Sequence, residues 1–241
     1  MAWRPSHRSP EQSEVLAAAL ARAEEAGPGA LAIFDLDGCL LDNRARQVHI
    51  LREFAAQHDV PEIYAVRDEH FVDWNLKNTL ALAGVPEART QRFYPLLHEH
   101  WWRCFFSDEY LVFDHAMPGA VGVVKAVRAL GLKVMYLTAR YENVRDGSWA
   151  CLQRWGFPTE GEGISLVMKG DPDLDDDVAK VDAVARLHAS GPVLFFDNEP
   201  ANVNSMRRRF PEAMIVFVET DHSPRPIEAH PALPRVRGFL R

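Results

Sequence analysis

The chain has 241 residues, of which 47% are hydrophobic, and a formal net charge of −7. This size suits one large domain, or a core with a smaller lid, that buries a hydrophobic interior. The negative charge does not favour a nucleic acid polymer as a partner, and no apolar run reaches the roughly 20 residues of a membrane span. Residues 1–14 lack the apolar stretch of a signal peptide, so we expect a cytoplasmic protein.

The first predicted elements are a helix and a short buried strand. Apolar residues at helical spacing, with Pro10 in the first turn, predict a helix over residues 10–26. A Gly-Pro-Gly run at residues 27–29 ends that helix, because glycine suits a helix stop and proline cannot continue it. The apolar run LAIFDLDG follows and stops at Gly38, a pattern typical of a buried strand.

Residues 44–115 form a long segment that is helical in pattern and rich in aromatic side chains. The segment is too long for a loop inside a compact domain. We therefore expect an inserted all-helical cap, joined to the core by hinges near residues 43–46 and 114–118. Its aromatic side chains are more typical of a small hydrophobic core than of a substrate platform.

From Pro118 onward, apolar runs alternate with helical patterns. The predicted strands are at residues 132–140, 164–168, 192–198 and 213–218, and the predicted helices are near 119–130, 145–155, 175–189 and 200–209. This alternation predicts an α/β fold, a Rossmann-like parallel sheet with helices on both faces, formed by residues 1–43 and 116–241. The proline-rich tail from Asp221 is expected to be extended, on the surface or around the core.

Polar residues stand where the predicted strands end. Asp35 and Asp37 follow the first strand, Thr138 ends the second, and Asp197 ends the strand at 192–198. In an open parallel sheet, ligands bind beyond the carboxyl ends of the strands. Carboxylates after buried apolar runs are costly without a metal ion or other partners. The sequence therefore predicts a polar site at this edge of the sheet.

Three segments of the sequence resemble motifs of one family. FDLDGCLLD resembles motif I of the haloacid dehalogenase superfamily, DxDGTLxD, VMYLTAR resembles motif II, and LFFDNEPANV resembles motif IV. Their order and spacing along the chain also fit that superfamily. The resemblance implies a Mg2+-dependent phosphohydrolase that acts on a small phosphorylated metabolite through an aspartyl-phosphate intermediate.

The resemblance also implies roles for individual residues. Asp35 would attack phosphorus, and Asp37 would protonate the leaving group and then help water hydrolyse the intermediate. Asp35, the backbone carbonyl of Asp37 and the side chain of Asp197 would bind Mg2+, which prefers oxygen ligands. Thr138 would donate a hydrogen bond to a phosphoryl oxygen, and Lys180 would neutralise the phosphate.

Other positions are less sharply defined by the motifs. Lys169, at the end of the strand at 164–168, is an alternative to Lys180 as the phosphate-neutralising lysine. Asn198 stands where many relatives carry a second acid, and Asn202 either supports the site or merely caps a helix. Cys39 replaces the usual threonine of motif I, and its thiol is a weaker hydrogen-bonding group than a hydroxyl.

Several functions remain open on the sequence alone. A phosphotransferase or mutase of the same superfamily would share every motif. A dehalogenase would need neither Asp37 as an acid nor Mg2+, so Asp37 and Asp197 argue against it. A non-catalytic phosphate-binding protein would be expected to have lost one of Asp35, Asp37 or Asp197. The sequence indicates neither the substrate nor the oligomeric state.

Overall fold

The structure is a computed structural model that describes residues 9–188 and 190–240. In chain order its strands are β1 (Leu31–Phe34), β2 (Leu41–Asp42), β3 (His115–Ala116), β4 (Lys133–Tyr141), β5 (Ile164–Lys169), β6 (Leu194–Asp197), β7 (Met214–Val218) and β8 (Arg235–Val236). Its α-helices are α1 (Pro10–Ala26), α2 (Arg44–His58), α3 (Leu76–Leu82), α4 (Glu87–Phe105), α5 (Ala120–Ala129), α6 (Arg145–Trp155), α7 (Asp176–Leu187) and α8 (Pro200–Arg209). Short 3-10 helices lie at Pro61–Ala65, Asp68–His70, Asp108–Phe113 and Glu142–Val144.

The predicted α/β fold is confirmed. Within the described residues, six parallel strands form a sheet in the order β5-β4-β1-β6-β7-β8. The central strand β1 pairs with β4 on one side and with β6 on the other, so Phe34 has Tyr136 and Phe196 as its neighbours. This register brings the carboxyl ends of three strands together at one edge, where the sequence predicted a polar site.

Both faces of the sheet are covered because side chains of a strand alternate between faces. On one face, Phe34 packs in a cluster with residues of α1, α5 and α6, and its ring stacks on Phe196 at 5.1 Å. On the other face, Ile33 belongs to a cluster with residues of α7 and α8. The predicted helix near 175–189 is observed as α7, and residue 189 lies outside the described residues.

The tail beyond Asp221 joins the sheet, which the sequence did not reveal. Val236 of β8 pairs with Val218 of β7 in parallel register. Phe239 is buried, and its backbone N–H donates to the carbonyl of Pro118 at 3.1 Å. A two-residue strand carries too little apolar periodicity to stand out among prolines, so only its pairing defines it.

Residues 44–113 fold into α2, α3, α4 and three of the 3-10 helices, with a hydrophobic cluster of their own that includes Phe54, Leu80 and Leu97. The segments that lead into and out of this insertion pair as a short antiparallel ribbon, β2 with β3. The division of the chain into a core and a cap stays a prediction, and residues 1–8, 189 and 241 of that core lie outside the described residues. No helix in the described ranges is long and apolar enough to cross a membrane.

Two glycines near α5 provide a matched test of this packing. Gly119 has a φ of +84°, and a Cβ there would lie 2.3 Å from the carbonyl oxygen of Phe239. We expect Gly119→Ala to lower the free energy of unfolding by about 2 kcal/mol, because both the backbone angle and the contact are unfavourable. Gly122 lies inside α5, and a Cβ there would meet no atom within 4 Å outside the nearby helix backbone. Gly122→Ala should therefore raise the free energy of unfolding by about 0.5–1 kcal/mol. Urea denaturation measures both, and changes of the same sign would contradict this packing.

Candidate active site

A cavity of about 440 Å³ lies at the carboxyl ends of the central strands. The structure places every residue that the sequence proposed for the site on its walls: Asp35, Asp37, Thr138, Lys169, Lys180, Asp197, Asn198 and Asn202. They come together because the strands that precede them are neighbours in the sheet. Their chemical roles stay predictions, and the contacts below indicate which roles their geometry supports.

Asp35, Lys180 and Asp197 form a buried ion triad. The Nζ of Lys180, on α7, donates to Asp35 Oδ1 at 2.5 Å and to Asp197 Oδ2 at 2.7 Å. Burial raises the pKa of Asp35 above its ordinary value, against the opposing charge of Lys180, and the nearby charge of Asp197 raises it further. Burial alone would lower the pKa of Lys180, but Asp197 and Asp35 outweigh it, so the side chain stays an ammonium ion.

The carboxylate of Asp197 is held in place from the start of α8. The side-chain amide of Asn202 donates to both oxygens, at 3.2 Å and 3.0 Å, and the backbone N–H of Glu199 donates to Oδ1 at 2.8 Å. Among the described residues, the buried Oδ1 of Asn202 has no hydrogen-bond donor. Asn202 therefore supports the site by orienting Asp197.

Asp37 belongs to a second buried ion cluster. Arg140 binds it through Nε and Nη2 at 2.7 Å and 2.8 Å, Arg46 through Nη2 at 2.7 Å, and Asn43 through its amide at 3.0 Å. Arg140 also donates to Asp114 at 2.7 Å, and Arg46 Nε lies 2.9 Å from Asp114 Oδ1 without hydrogen-bond geometry. Burial alone would raise the pKa of Asp37, but the two arginines outweigh it and hold the pKa well below its usual range. Asp37 is therefore a carboxylate in this arrangement.

Sequence reasoning missed this arginine cluster. It treated Arg46 and Asp114 as hinge positions and did not connect them with Asp37. Two signals were available. Arg140 lies two residues after Thr138 on the same strand, so both face the same way. Arg46 lies in the first turn of α2, where the helix dipole disfavours a cation unless an acid pairs with it.

The two candidate lysines occupy different places on the cavity wall. Lys180 contacts Asp35 directly, whereas Lys169 pairs with Asp176 at 2.8 Å. The geometry therefore favours Lys180 as the cation beside the candidate nucleophile.

Three other predicted positions are buried beside the triad. Thr138 accepts a hydrogen bond from the backbone N–H of Arg140 at 3.2 Å. The amide of Asn198 donates to the backbone carbonyl of Asp221 at 2.6 Å, so its Nδ2 is engaged by the tail. Cys39 is fully buried, and burial raises the pKa of its thiol, which keeps it in the neutral, unreactive form.

The donor atoms suit a hard divalent cation. Asp35 and Asp197 both bind one ammonium group, which shows that their oxygens converge on a common positive charge. Carboxylate and carbonyl oxygens are the ligands that Mg2+ prefers. No three Asp, Glu, His or Cys side chains within residues 9–188 and 190–240 surround one point. The metal ligands that the sequence predicts are two carboxylates and the backbone carbonyl of Asp37, so a third such side chain is not required.

Comparisons with known proteins identify the fold. No family model and no curated protein matches the chain. A predicted phosphoglycolate phosphatase from Haemophilus somnus 129pt superposes with a TM-score of 0.54 at 13% identity, over 83% of this chain and 89% of that one. The "Putative Phosphatase from Clostridium difficile" superposes with a TM-score of 0.53 at 11% identity, over 82% and 88%. The "Putative haloacid dehalogenase-like hydrolase from Bacteroides fragilis" gives 0.49 at 14% identity, over 79% and 88%.

The chain therefore has the fold of the two phosphatase structures that superpose with TM-scores above 0.5, in agreement with the α/β fold that the sequence predicts. At these identities the comparisons establish the fold, and the activity has to be argued from the residues of the site.

The arginine cluster generates a stability prediction. Asp114→Asn keeps the shape of the side chain but removes a fully buried charge, which leaves two buried arginines with one carboxylate. We expect the free energy of unfolding to fall by about 3 kcal/mol or more. The matched control, Glu142→Gln, breaks a pair with Arg145 in which the glutamate is 57% exposed. This substitution should change the free energy of unfolding by less than about 1 kcal/mol. Equal effects in urea denaturation would contradict the importance of the cluster.

Proposed function

We propose that the chain is a metal-dependent phosphohydrolase of small phosphomonoesters, with Asp35 as the nucleophile. The observation that supports this most directly is the buried triad, in which Lys180 holds Asp35 and Asp197 at the edge of the cavity. A carboxyl group beside a fixed cation is the arrangement that phosphoryl transfer to a carboxylate needs, because the cation favours the ionised form that attacks phosphorus.

In the first half of the reaction, an oxygen of Asp35 attacks phosphorus and the ester oxygen leaves with its alcohol. Lys180, already bound to Asp35, lies where it can stabilise the negative charge on the phosphoryl oxygens. The hydroxyl of Thr138, buried at the end of β4, is a hydrogen-bond donor for the same oxygens. The product of this half is an aspartyl-phosphate on Asp35.

Asp37 has the protonation state needed for the second half of the reaction. As a carboxylate it can accept a proton from the water that hydrolyses the aspartyl-phosphate. In the first half it must donate a proton to the leaving oxygen, which its bonds to Arg140 and Arg46 oppose. The proposed mechanism therefore requires Asp37 to leave its arginine contacts and to take up a proton from solvent before the ester bond breaks. That proton then passes to the leaving oxygen.

A divalent cation bound by Asp35, Asp197 and the backbone carbonyl of Asp37 would add positive charge next to the transferring phosphoryl group. Asn202 supports that assignment, because its two hydrogen bonds fix the carboxylate of Asp197 before any cation binds.

The nucleophile assignment predicts the behaviour of an isosteric pair of variants. Asp35→Asn should reduce phosphate release from a phosphomonoester by about 10³-fold or more, because an amide is a far poorer nucleophile. Asp176→Asn, the same substitution on the cavity wall at the Lys169 pair, should retain most of the activity. The assay contains no acceptor other than water, so free phosphate distinguishes hydrolysis from phosphotransfer. Normal turnover by a folded Asp35→Asn protein would exclude this mechanism.

The metal assignment predicts a pH-dependent affinity. A chelator should abolish phosphate release, and excess Mg2+ should restore it. Because burial raises the pKa of Asp35, protons compete with the cation for this carboxylate at low pH. We therefore expect calorimetry to show Mg2+ binding more tightly as the pH rises from about 6 to 8, with proton release. Full activity in excess chelator would instead favour a metal-free hydrolase.

A further inference from the structure

One wall of the cavity that contains Asp35 is aromatic. This aromatic wall consists of Trp74, Trp101, Trp102, Phe105, Phe106 and Tyr141. Its rings contact one another in a continuous series. The Phe105 ring lies 4.6 Å from Trp101, 5.6 Å from Trp74 and 5.1 Å from Phe106, and Phe106 lies 4.8 Å from Trp102 and 5.2 Å from Tyr141. The rings meet at angles between 25° and 79°, so they form a faceted aromatic surface beside the candidate nucleophile.

The packing of the insertion does not account for the whole aromatic wall. Trp101 and Phe105 are 7% and 2% exposed and belong to the hydrophobic cluster of the insertion. Trp102 is 49% exposed and is not a member of that cluster. A large, half-exposed indole on a cavity wall is a typical contact for a bound apolar group.

Trp101 contributes its ring, and not its N–H, to the cavity wall. Its Nε1–H is buried and, among the described residues, has no hydrogen-bond acceptor. Buried indole N–H groups usually have an acceptor. The ring of Trp101 lines the cavity, but its Nε1 has no exposed surface, so this donor provides no contact to a bound ligand.

The charge of the cavity lining limits what the ligand can carry besides its phosphate. Among its described lining residues, seven have carboxyl groups and four are cations. Each cation is already paired with a carboxylate: Arg140 with Asp37, Lys180 with Asp35 and Asp197, Lys169 with Asp176, and Arg225 with Asp175. A second anionic group on the ligand would meet excess negative charge, whereas a neutral or cationic group would not.

We propose that the substrate is a phosphate monoester of an aromatic alcohol that has no other negative charge, with its ring against Trp102 in the aromatic wall. The proposal rests on the proposed function for the position of the phosphate and adds the chemical class of the leaving group. It predicts that short carboxylated alkyl phosphates are poor ligands.

The test uses three ligands that share a primary alkoxide leaving group: benzyl, cyclohexylmethyl and 4-carboxybenzyl phosphate. Calorimetry with the Asp35→Asn variant of the 241-residue chain measures affinity without turnover. We expect benzyl phosphate to bind about fivefold more tightly than cyclohexylmethyl phosphate, from ring–ring contact. We expect 4-carboxybenzyl phosphate to bind about tenfold more weakly than benzyl phosphate, from charge repulsion.

Two further substitutions, made in the Asp35→Asn protein, locate the effect. Trp102→Ala should remove the preference for benzyl over cyclohexylmethyl phosphate. Leu96→Ala, which also removes an exposed apolar side chain from α4 but lies outside the cavity lining, should keep it. Equal affinity for benzyl and cyclohexylmethyl phosphate, or undiminished binding of the 4-carboxybenzyl ester, overturns the proposal.

Turnover by the unmodified protein separates this proposal from the proposed function. If none of the three esters releases phosphate but the binding preference holds, the hydrolase assignment fails and the aromatic ligand class stands. If all three release phosphate with equal kcat/KM, the hydrolase assignment stands and the ligand class is wrong.

Discussion

Two buried arginines connect the parts of this chain that must act together. Arg46 and Arg140 share the carboxylates of Asp37 and Asp114. These four residues come from four separate segments: the turn after β1, the start of α2, the segment before β3, and β4. Burying four charges is costly, and the cost is offset only when every charge has a well-placed partner. Separating the insertion from the sheet would leave these buried charges without partners, at a high cost in free energy. The cluster therefore holds the two in one relative arrangement.

The cluster also links structure to reactivity. Asp37 lies two residues from the candidate nucleophile, and it is bound by a side chain from the insertion and by one from the sheet. Any movement of α2 relative to β4 must change the contacts of Asp37, because the carboxylate cannot follow both arginines. The position of the insertion and the availability of the candidate acid are thus coupled by direct bonds.

The sequence was most informative where topology leaves few alternatives. Short, largely apolar runs such as residues 31–34 and 194–197 are typical of central strands in a sheet. In a parallel sheet, the polar residues that end or follow such strands lie at one edge. For this reason the sequence alone predicts that Asp35, Thr138 and Asp197 lie close together. The family resemblance predicted Lys180 as the phosphate-neutralising lysine, and the contact of Lys180 with Asp35 agrees with that prediction.

The remaining features depend on contacts between distant residues that local patterns do not encode. Arg46 and Asp114 meet because two connecting segments pair, and nothing in either segment alone specifies its partner. The aromatic side chains of α4 are a mixed case. Phe105 is a core residue that also lines the cavity, whereas Trp102, one helical turn earlier, lines the cavity and is half exposed. Helical periodicity places both on one side of α4 but does not indicate how much of that side is covered.

The ribbon formed by β2 and β3 has a consequence for how such a protein can diversify. Leu41 pairs with Ala116 and Asp42 with His115, so the chain leaves the sheet and returns to it at one point. Everything between is, in topological terms, a single loop closed by its own hydrogen bonds. The entropic penalty of closing a loop grows only slowly with its length, so residues can be added or removed inside it at little cost to the sheet. Apart from positions that bind Asp37, such as Arg46, the insertion can therefore change its sequence and length without rebuilding the edge of the sheet that carries Asp35.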